Sequence, residues 1–268
     1  MLGEDELGRV TLVRGDVTDA AALGRALDEH AITRVIHLAA LQVPSCRADP
    51  AAGARVNVLG TVAVLAAVKE RREQIAGVAY ASSTAVYTEA DPSPAPESGG
   101  TRPTTLYGVY KLANEGTARV FWEDEGVASI GIRPYVVYGP GRDQGLTSGP
   151  SLAMAAAARG EGFEIGYGST VQYDFAPDVG IAFARAAAAA SEGAHVANFP
   201  GVAASPAEVA TAIEAVVPEV AGLITWTDDR LPFPETLEAT RLERLLGPLP
   251  RTPLAEGIRL TIEHYRGH

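Results

Sequence analysis

A tyrosine and a lysine four residues apart, Tyr107 and Lys111, have the types and the spacing to do chemistry. Four residues make about one helical turn, so both side chains would lie on one face of a helix, within reach of each other. An ammonium close to a phenol stabilises the phenolate and lowers the phenol pKa from its usual value of about 10. The pair is therefore a candidate for proton exchange with an alcohol. Taken alone, the spacing also fits a half-buried tyrosine beside a surface lysine.

Hydroxyl groups precede this pair in "ASSTAVY", residues 81–87, at the end of an apolar run. We expect Ser83 to hydrogen-bond the substrate oxygen while Tyr107 moves the proton and a nicotinamide ring carries the hydride. The other interpretation is that residues 82–84 only cap the end of a strand. The joint occurrence of Ser83, Tyr107 and Lys111 favours the catalytic interpretation.

The first half of the chain must position these residues, and it alternates strand-like and helical runs. Continuous apolar runs are typical of strands buried on both faces, so the alternation predicts a parallel sheet with helices on either side. Ligands bind at the carboxyl ends of such strands. The predicted strands are residues 10–14, 35–39, 77–82 and 128–133, and the predicted helices are residues 19–29, 51–70 and 107–125.

The second half predicts a smaller lobe. Residues 88–103, rich in Pro, Ser and Gly, are expected to form a loop over the site rather than a linker. Helices are expected at 150–159, 180–191, 206–217 and 253–265, with a strand at 223–227. We predict an incomplete Rossmann-like dinucleotide-binding domain from residues 1–139 and 174–200. The small C-terminal α/β substrate lobe would comprise residues 140–173 and 201–268.

Composition argues against several classes of function. The 268 residues are 47% hydrophobic and 21% charged, with a formal net charge of −11, which is typical of a globular protein with an acidic surface. Such a surface repels nucleic acid and anionic membranes, so neither is expected as a partner. We find one cysteine, Cys46, no metal-ligand spacing, no 18-residue apolar run that would cross a membrane and no signal peptide. A cytoplasmic protein without a metal is therefore expected.

Six motifs, in this order, resemble those of a known family. They are "GDVTD" (15–19), "VIHLAA" (35–40), "NVLGT" (57–61), "SSTAVY" (82–87), "YGVYK" (107–111) and "RPYVVYGPG" (133–141). Over nearly all its length the chain resembles an extended short-chain dehydrogenase/reductase of the NAD-dependent epimerase/dehydratase kind. The resemblance implies a doubly wound parallel sheet and NAD as the cofactor. NADP stays open as the alternative cofactor, because the residue that reads the 2′ position lies in a segment this sequence lacks.

The resemblance also implies roles for individual residues. Tyr107 would be the acid/base, Lys111 would tune its pKa and bind the nicotinamide ribose, and Ser83 would orient the substrate. Other cofactor-binding candidates are Asp16 and Val17 at the adenine, Leu38, Ala39 and Ala40 along the cofactor, Asn57 on the following helix, and Pro134 and Tyr135 at the nicotinamide. Substrate-binding candidates are Gln42, Thr84, Val136, Arg142 and Gln172. Purely structural interpretations stay open for three of these residues. Asp16 would be a turn residue, Asn57 a satisfied helix amide and Tyr135 a core side chain.

One departure from the family concerns cofactor binding. Family members begin with a strand, a G-x-x-G-x-x-G turn, a helix and a second strand, and the glycines let the backbone approach the pyrophosphate. This sequence contains no such motif. We therefore expect a sheet lacking the first βαβ unit, in which residues 10–14 pair directly with residues 35–39 or are displaced. A start site placed too late in the gene, or a truncated chain, would explain the difference.

Other departures concern the substrate. Nucleotide-sugar epimerases usually hold the diphosphate with an Arg-Asp-aromatic motif, whereas this chain has Gln172 where the arginine is expected, and an amide cannot make a bidentate phosphate contact. Val136 replaces the usual asparagine of "RPxNVYG". Dehydratases place an Asp-Glu pair after the catalytic hydroxyl, but here the residues are Thr84 and Ala85. The dehydratase branch therefore fits worst, because elimination of water would lack its proton carriers.

The sequence thus predicts an NAD(P)-dependent epimerase or dehydrogenase that acts on a sugar, a nucleotide sugar or a sugar acid. The alternative is a non-catalytic remnant of the family with weak or no dinucleotide binding. The intact Ser83, Tyr107 and Lys111 favour the enzyme, and the missing glycine motif favours the remnant. A homodimer is expected through the helices at 51–70 and 107–125, which carry apolar stripes and form a four-helix contact in family members.

Overall fold

The computed structural model describes residues 8–99 and 102–267. Residues 1–7, 100–101 and 268, which fall within the predicted domains and the predicted loop, lie outside the described part. The strands are β1 Val35–His37, β2 Val78–Ala81, β3 Ser129–Arg133, β4 Val136–Tyr138, β5 Phe163–Ile165, β6 Val171–Phe175, β7 Ala194–Asn198, β8 Val202–Ala204 and β9 Ile224–Trp226. The helices are α1 Ala20–Glu29, α2 Val43–Ala48, α3 Pro50–Lys69, α4 Leu106–Glu125, α5 Gly149–Ala158, α6 Ala176–Ala189, α7 Pro206–Val216, α8 Arg241–Leu246 and α9 Leu254–Arg266.

The main sheet is parallel, with the strand order β1-β2-β3-β7. Val35 pairs with Val78 at one end of the first two strands, and Ala81 pairs with Ile132 where β2 meets β3. Every residue of β3 is buried, because helices cover both faces of the sheet. The predicted α/β fold with a parallel sheet is therefore confirmed.

Helix α4 is the element that presents the tyrosine and the lysine. It begins after Thr105, whose side chain accepts a hydrogen bond from the amide of Gly108 (3.0 Å). It ends at Gly126, whose φ of 68° is a left-handed conformation that glycine adopts without steric cost. These two caps explain why the predicted bounds, 107–125, agree with the structure to within one residue.

Residues 10–14 do not form the predicted strand. They are exposed coil, and Leu12 is 77% exposed. Residues 10–14 therefore do not pair with β1. Of the two arrangements expected for them, displacement from the sheet is the one observed. An apolar strand beside β1 would need helices over both of its faces, and the neighbouring helix α1 packs on α3 instead.

The second lobe has two small sheets. β4 pairs with β6, and β6 pairs with β8 in antiparallel fashion, while β5 pairs with β9. These strands and helices α5, α7 and α9 enclose a core that includes Tyr138, Tyr173 and Ile258. β4 lies before residue 139, so the second lobe's sheet starts inside the segment that the sequence assigned to the Rossmann-like domain.

Residues 88–99 form an irregular segment, but none of them lines the cavity described below. The segment instead pairs with residues 236–238: the Ala95 amide donates to the Thr236 carbonyl (2.9 Å), and the Glu238 amide donates to the Ala95 carbonyl (2.8 Å). The expected placement of the described part of this loop over the site is therefore wrong, because these backbone groups are satisfied against the second lobe.

Helix α3 is long and apolar enough, by length and composition, to cross a membrane, with a mean hydropathy of 1.7 over its best window. The expectation that no such run exists is therefore wrong. Within the structure 44% of that window is buried, and Val64, Leu65 and Val68 pack in a core cluster with α4. A core helix of this kind passes the same test, so one such helix is weak evidence for a membrane span.

Candidate active site

A cavity of about 270 Å³ opens at the carboxyl ends of β1, β2 and β3. This is the edge where parallel α/β sheets bind ligands, and the volume is near the lower end for small-molecule sites. The sequence-predicted residues that line it are Leu38, Ala40, Gln42, Ser83, Thr84, Tyr107, Lys111, Pro134, Tyr135 and Arg142. Asp16, Val17, Ala39, Asn57, Val136 and Gln172 do not line it.

Tyr107 and Lys111 face the cavity together from the first turns of α4. The Lys111 ammonium lies 5.5 Å from the centroid of the Tyr107 ring and donates a hydrogen bond to the Ala81 carbonyl at the end of β2 (2.6 Å). Lys111 is only 3% exposed. The four-residue spacing therefore places both side chains on one face, and the end of β2 fixes where the ammonium lies.

Ser83 is held by the short 3₁₀ helix that follows β2. Its hydroxyl accepts a hydrogen bond from the Ala85 amide (3.1 Å), and the Thr84 hydroxyl donates to the Pro134 carbonyl (3.0 Å). A Cβ at Gly108 would overlap the carbonyl oxygen of Ala85. Only glycine therefore lets α4 approach this turn so closely, and that approach brings the Tyr107 side chain next to Ser83.

The expected effect of Lys111 on the pKa of Tyr107 is wrong. Burial raises the pKa of Tyr107 above its ordinary value, while a hydrogen bond with Ser83 and the positive charge of Arg142 act in the opposite direction and are outweighed. Burial also lowers the pKa of Lys111 to about 8, because an ammonium loses its hydration there. The phenol is therefore protonated at neutral pH, and the groups that act to lower its pKa are Ser83 and Arg142.

Arg142 brings a second cation to the cavity. It lies in the loop after β4, and its Nε is buried without a hydrogen-bond partner among the described residues. Burial lowers the pKa of this guanidinium, while the neighbouring Tyr107 and Asp143 raise it. A cation held in this way is suited to binding an anionic group such as a phosphate or a carboxylate.

Tyr135 forms the wall between the main sheet and the second lobe. Its amide donates to the carboxylate of Asp174 (2.6 Å), its hydroxyl donates to the Pro234 carbonyl (2.7 Å), and its ring meets Phe233 edge-on. Burial raises the pKa of Asp174 to about 8, and one of its carboxylate oxygens has no partner in the described chain. The wall is therefore fixed by polar contacts to Asp174 and Pro234, neither of which lines the cavity.

Asn57 supports the cavity from behind. It lies in a π-helical stretch of α3, Arg55–Leu59, where the side-chain amide accepts from the Leu41 amide (2.8 Å) and donates to the Leu41 carbonyl (3.1 Å). These bonds hold the loop after β1, whose residues Ala40 and Gln42 line the cavity. The observed hydrogen bonds agree with the interpretation of Asn57 as a satisfied helix amide.

The remaining predicted residues lie elsewhere. Asp16 is exposed and accepts hydrogen bonds from the amide and the hydroxyl of Thr18 (2.8 Å each). Val17 packs against Gly60 of α3. Val136 is a core residue, and the Gln172 amide bonds the backbone of Leu237 and Gly201. The exposed Ala39 follows Leu38 at the cavity mouth.

Sequence reasoning missed several residues that line the cavity. They are Val43, Ala81, Ser82, Ala85, Val137, Leu146, Thr147 and Phe233. Ala81, Ser82 and Ala85 lie within "ASSTAVY", so the signal for them was already present. Phe233 has no local signal, because the fold brings it to the cavity from a segment about 130 residues after the start of α4.

The model of the NAD dependent epimerase/dehydratase family matches residues 3–199. The chain belongs to this family. A UDP-glucose 4-epimerase of Mycolicibacterium smegmatis is 32% identical over 267 residues, which cover 95% of this chain and 82% of that protein. UDP-glucuronate 4-epimerase 5 of Arabidopsis thaliana is 34% identical over 137 residues, or 50% of this chain, and the match spans only 31% of that protein.

Solved structures of the family agree with this assignment. A Thermus thermophilus UDP-glucose 4-epimerase in complex with NAD superposes with a TM-score of 0.82 at 26% identity. The superposition covers 97% of this chain and 86% of that one. NAD is the cofactor of the epimerase/dehydratase family, as its description states.

The residues at the reacting end of the cavity fit this cofactor. Lys111 is a buried ammonium. Among the described residues, its hydrogen-bond acceptor is the Ala81 carbonyl, and no carboxylate is paired with it. Such a cation suits the hydroxyls of a ribose. Ala81 and Pro134, which have small side chains, line the cavity together with Tyr107 and Ser83.

Proposed function

We propose that this chain is an NAD(P)-dependent epimerase or dehydrogenase that acts on a sugar, a nucleotide sugar or a sugar acid. The observation on which the proposal rests is that Ser83, Tyr107 and Lys111 face one cavity at the carboxyl ends of parallel strands. Ser83, Tyr107, Lys111, Pro134 and Tyr135 would hold the nicotinamide end of the cofactor and the reacting carbon.

The chain's own part in the reaction is proton transfer and orientation. Bound NAD would supply the acceptor and the source of a hydride. Ser83 orients the sugar hydroxyl toward the phenol oxygen of Tyr107. The phenolate form of Tyr107 takes the hydroxyl proton when the alcohol is oxidised, and the resulting phenol returns it when the ketone is reduced. Because burial raises the pKa of Tyr107, the hydrogen bond with Ser83 and the positive charge of Arg142 are needed to favour the transient phenolate. Epimerisation results if the ketone turns over in the cavity, and oxidation results if it leaves.

Arg142 supports a substrate with an anionic group. Its guanidinium lines the cavity close to Tyr107, whereas Gln172 is buried among backbone groups of the second lobe. Phosphate and carboxylate groups both match a guanidinium, which keeps nucleotide sugars and sugar acids as the substrate classes. UDP-glucose and UDP-glucuronate, which the names of the relatives contain, are therefore the first substrates to assay.

The test of catalysis is Tyr107→Phe. This substitution removes the phenol oxygen, so turnover should fall by about a hundredfold to ten-thousandfold while NAD affinity changes little. Tyr110→Phe is the matched control, because Tyr110 is on the same helix and its hydroxyl donates to the Pro50 carbonyl away from the cavity. Turnover retained in Tyr107→Phe would remove Tyr107 from its role.

The second candidate, a non-catalytic member with weak or no dinucleotide binding, has one supporting observation: the sequence contains no G-x-x-G-x-x-G motif. Calorimetry with NAD and with NADP separates the two candidates. Saturable heat of binding supports the enzyme. Absence of binding, both in this chain and in one extended upstream if the gene encodes more residues, supports the second candidate.

We also propose a homodimer through α3 and α4. Leu59 of α3 and Leu106, Val109 and Val120 of α4 are large apolar side chains that stay exposed in the single chain. Burying them against a second copy would remove this apolar surface from water. Light scattering should give about twice the chain mass of 27.9 kDa, and a monomer mass would contradict the proposal.

A further inference from the structure

A buried ion pair lies directly behind the 3₁₀ turn that presents Ser83. Glu115 of α4 and Arg133, the last residue of β3, make two parallel bonds: Arg133 Nε to Glu115 Oε1 and Arg133 Nη2 to Glu115 Oε2, both 2.7 Å. Their side chains are 8% and 6% exposed. Neither residue lines the cavity, so the pair has no place in the proton transfer described above.

The pair holds both ends of the turn. Glu115 also accepts a hydrogen bond from the hydroxyl of Ser82, the residue immediately before Ser83. Arg133 Nη1 donates to the hydroxyl of Tyr87 (2.6 Å), which closes the turn at its other end. Glu115 lies eight residues after Tyr107 on the same helix, so the element that presents the phenol also fixes the turn that presents Ser83.

A buried ion pair is not explained by stability alone. Removing two charges from water is costly, and well-packed apolar residues often replace such a pair without loss of stability. What an apolar pair could not supply is the third bond of Glu115, which reaches the Ser82 hydroxyl.

We propose that Glu115 and Ser82 are positioning residues, which set the Ser83 hydroxyl against the Tyr107 phenol. The proposal rests on the proposed function, because it assigns these residues to the same proton transfer. Ser82 acts through Ser83, since the two share one backbone turn, and Arg133 keeps the Glu115 carboxylate oriented. The hydrogen bond with Ser83 lowers the pKa of Tyr107, so a displaced Ser83 should leave that pKa higher than in the wild type.

A double-mutant cycle on Ser82 and Ser83 tests this route. Ser82→Ala removes the link to Glu115 and leaves the ion pair intact, and we expect kcat to fall by about tenfold to a hundredfold with little change in KM. Ser83→Ala should cost at least as much. If Ser82 acts only through Ser83, the double variant is no slower than Ser83→Ala alone. Ser82→Thr keeps a hydroxyl and should recover much of the lost rate.

Effects that multiply in the double variant, or wild-type turnover in Ser82→Ala, would overturn the proposal. Unchanged turnover in Ser83→Ala would instead contradict the role given to Ser83 under the proposed function. A second measurement needs no turnover: the pKa of Tyr107 by NMR in protein with ¹³C-labelled tyrosine, assigned by comparison with Tyr107→Phe. Ser82→Ala should raise this pKa as Ser83→Ala does. If only Ser83→Ala raises it, Ser82 does not position the hydroxyl.

Discussion

The two ends of the candidate cofactor site are built in different ways. At the reacting end, Tyr107, Lys111 and Ser83 come from a capped helix and a strand end that buried contacts hold against each other. At the proposed adenine end, Asp16 is exposed, and its carboxylate bonds the nearby Thr18 rather than another element. Long-range packing therefore fixes the reacting end, and the geometry at the proposed adenine end depends on a local turn.

This difference shows which function the fold itself can preserve. The candidate catalytic residues Ser83, Tyr107 and Lys111 need only α4 and the ends of the main-sheet strands, all of which the described residues supply. In this family the backbone grip on the pyrophosphate comes from a G-x-x-G-x-x-G turn at a helix N-terminus, and the sequence contains no such motif. The arrangement of Ser83, Tyr107 and Lys111 is therefore independent of how tightly the chain binds a dinucleotide.

The largest effect is expected where the packing is closest, at Gly108. Gly108→Ala places a methyl group against the Ala85 carbonyl, which must push α4 away from the turn that holds Ser83. We expect a loss of about 1–3 kcal/mol in the free energy of unfolding and at least a roughly tenfold loss of turnover. Urea denaturation and initial-rate assays measure the two losses.

Gly116→Ala is the matched control on the same helix, because a Cβ there has no neighbour within 4 Å. It should stabilise the protein by up to about 1 kcal/mol, since alanine is the better helix former. If Gly108→Ala and Gly116→Ala had the same stability and the same turnover, the close approach of α4 to the turn would affect neither quantity. The reacting end would then be no more constrained than the adenine end.

A smaller effect is expected from Lys111→Met, which removes the buried ammonium and keeps an apolar stem. The folded state lowers the pKa of Lys111 from 10.5 to about 8. Between these values the unfolded chain binds the proton and the folded chain does not, so wild-type stability rises with pH across this window. From about pH 7.5 to about pH 9.5 the wild type should gain about 2 kcal/mol relative to the variant.

Urea denaturation of both proteins at the two pH values checks this prediction. The comparison cancels the loss of the bond to the Ala81 carbonyl, because that loss is present at both values. Parallel stability curves would mean that the ammonium is hydrated, and the reacting end would then be as open to water as Asp16 is.

The same contrast explains what the sequence could predict. The bounds of α4 followed from helical periodicity between two capping signals, and α7 begins with a capping box of Ser205 and Glu208. The sequence also predicted that the turn "ASSTAVY" and the pair Tyr107 and Lys111 share one site. This prediction needed only local residue spacing and the rule that ligands bind at the carboxyl ends of parallel strands.

What the sequence could not predict depends on distant partners. Residues 10–14 have a strand-like pattern but no covering helices, so the local signal was misleading. The short strands β4, β6 and β8 exist through pairing with one another and have weak individual patterns. The direction of the Tyr107 pKa shift depends on burial by residues from several segments, which the spacing to Lys111 does not show.

The smallest structural effect is expected at Asp16, at the proposed adenine end. Asp16→Ala removes two hydrogen bonds within an exposed turn, so the melting temperature should fall by no more than about 3 °C. The bonds to Thr18 lower the pKa of Asp16. Their contribution to stability is therefore present above the ordinary pKa of 3.8 and is lost as the pH falls through the lowered pKa.

If Asp16 contacts adenine, the variant Asp16→Ala binds NAD more weakly in calorimetry but keeps the wild-type kcat at saturating NAD. Asp16→Asn keeps an acceptor for Thr18 and should show a smaller loss of affinity. A loss of kcat in Asp16→Ala would contradict the separation of the two ends, because it would mean that the exposed turn controls the geometry around Tyr107.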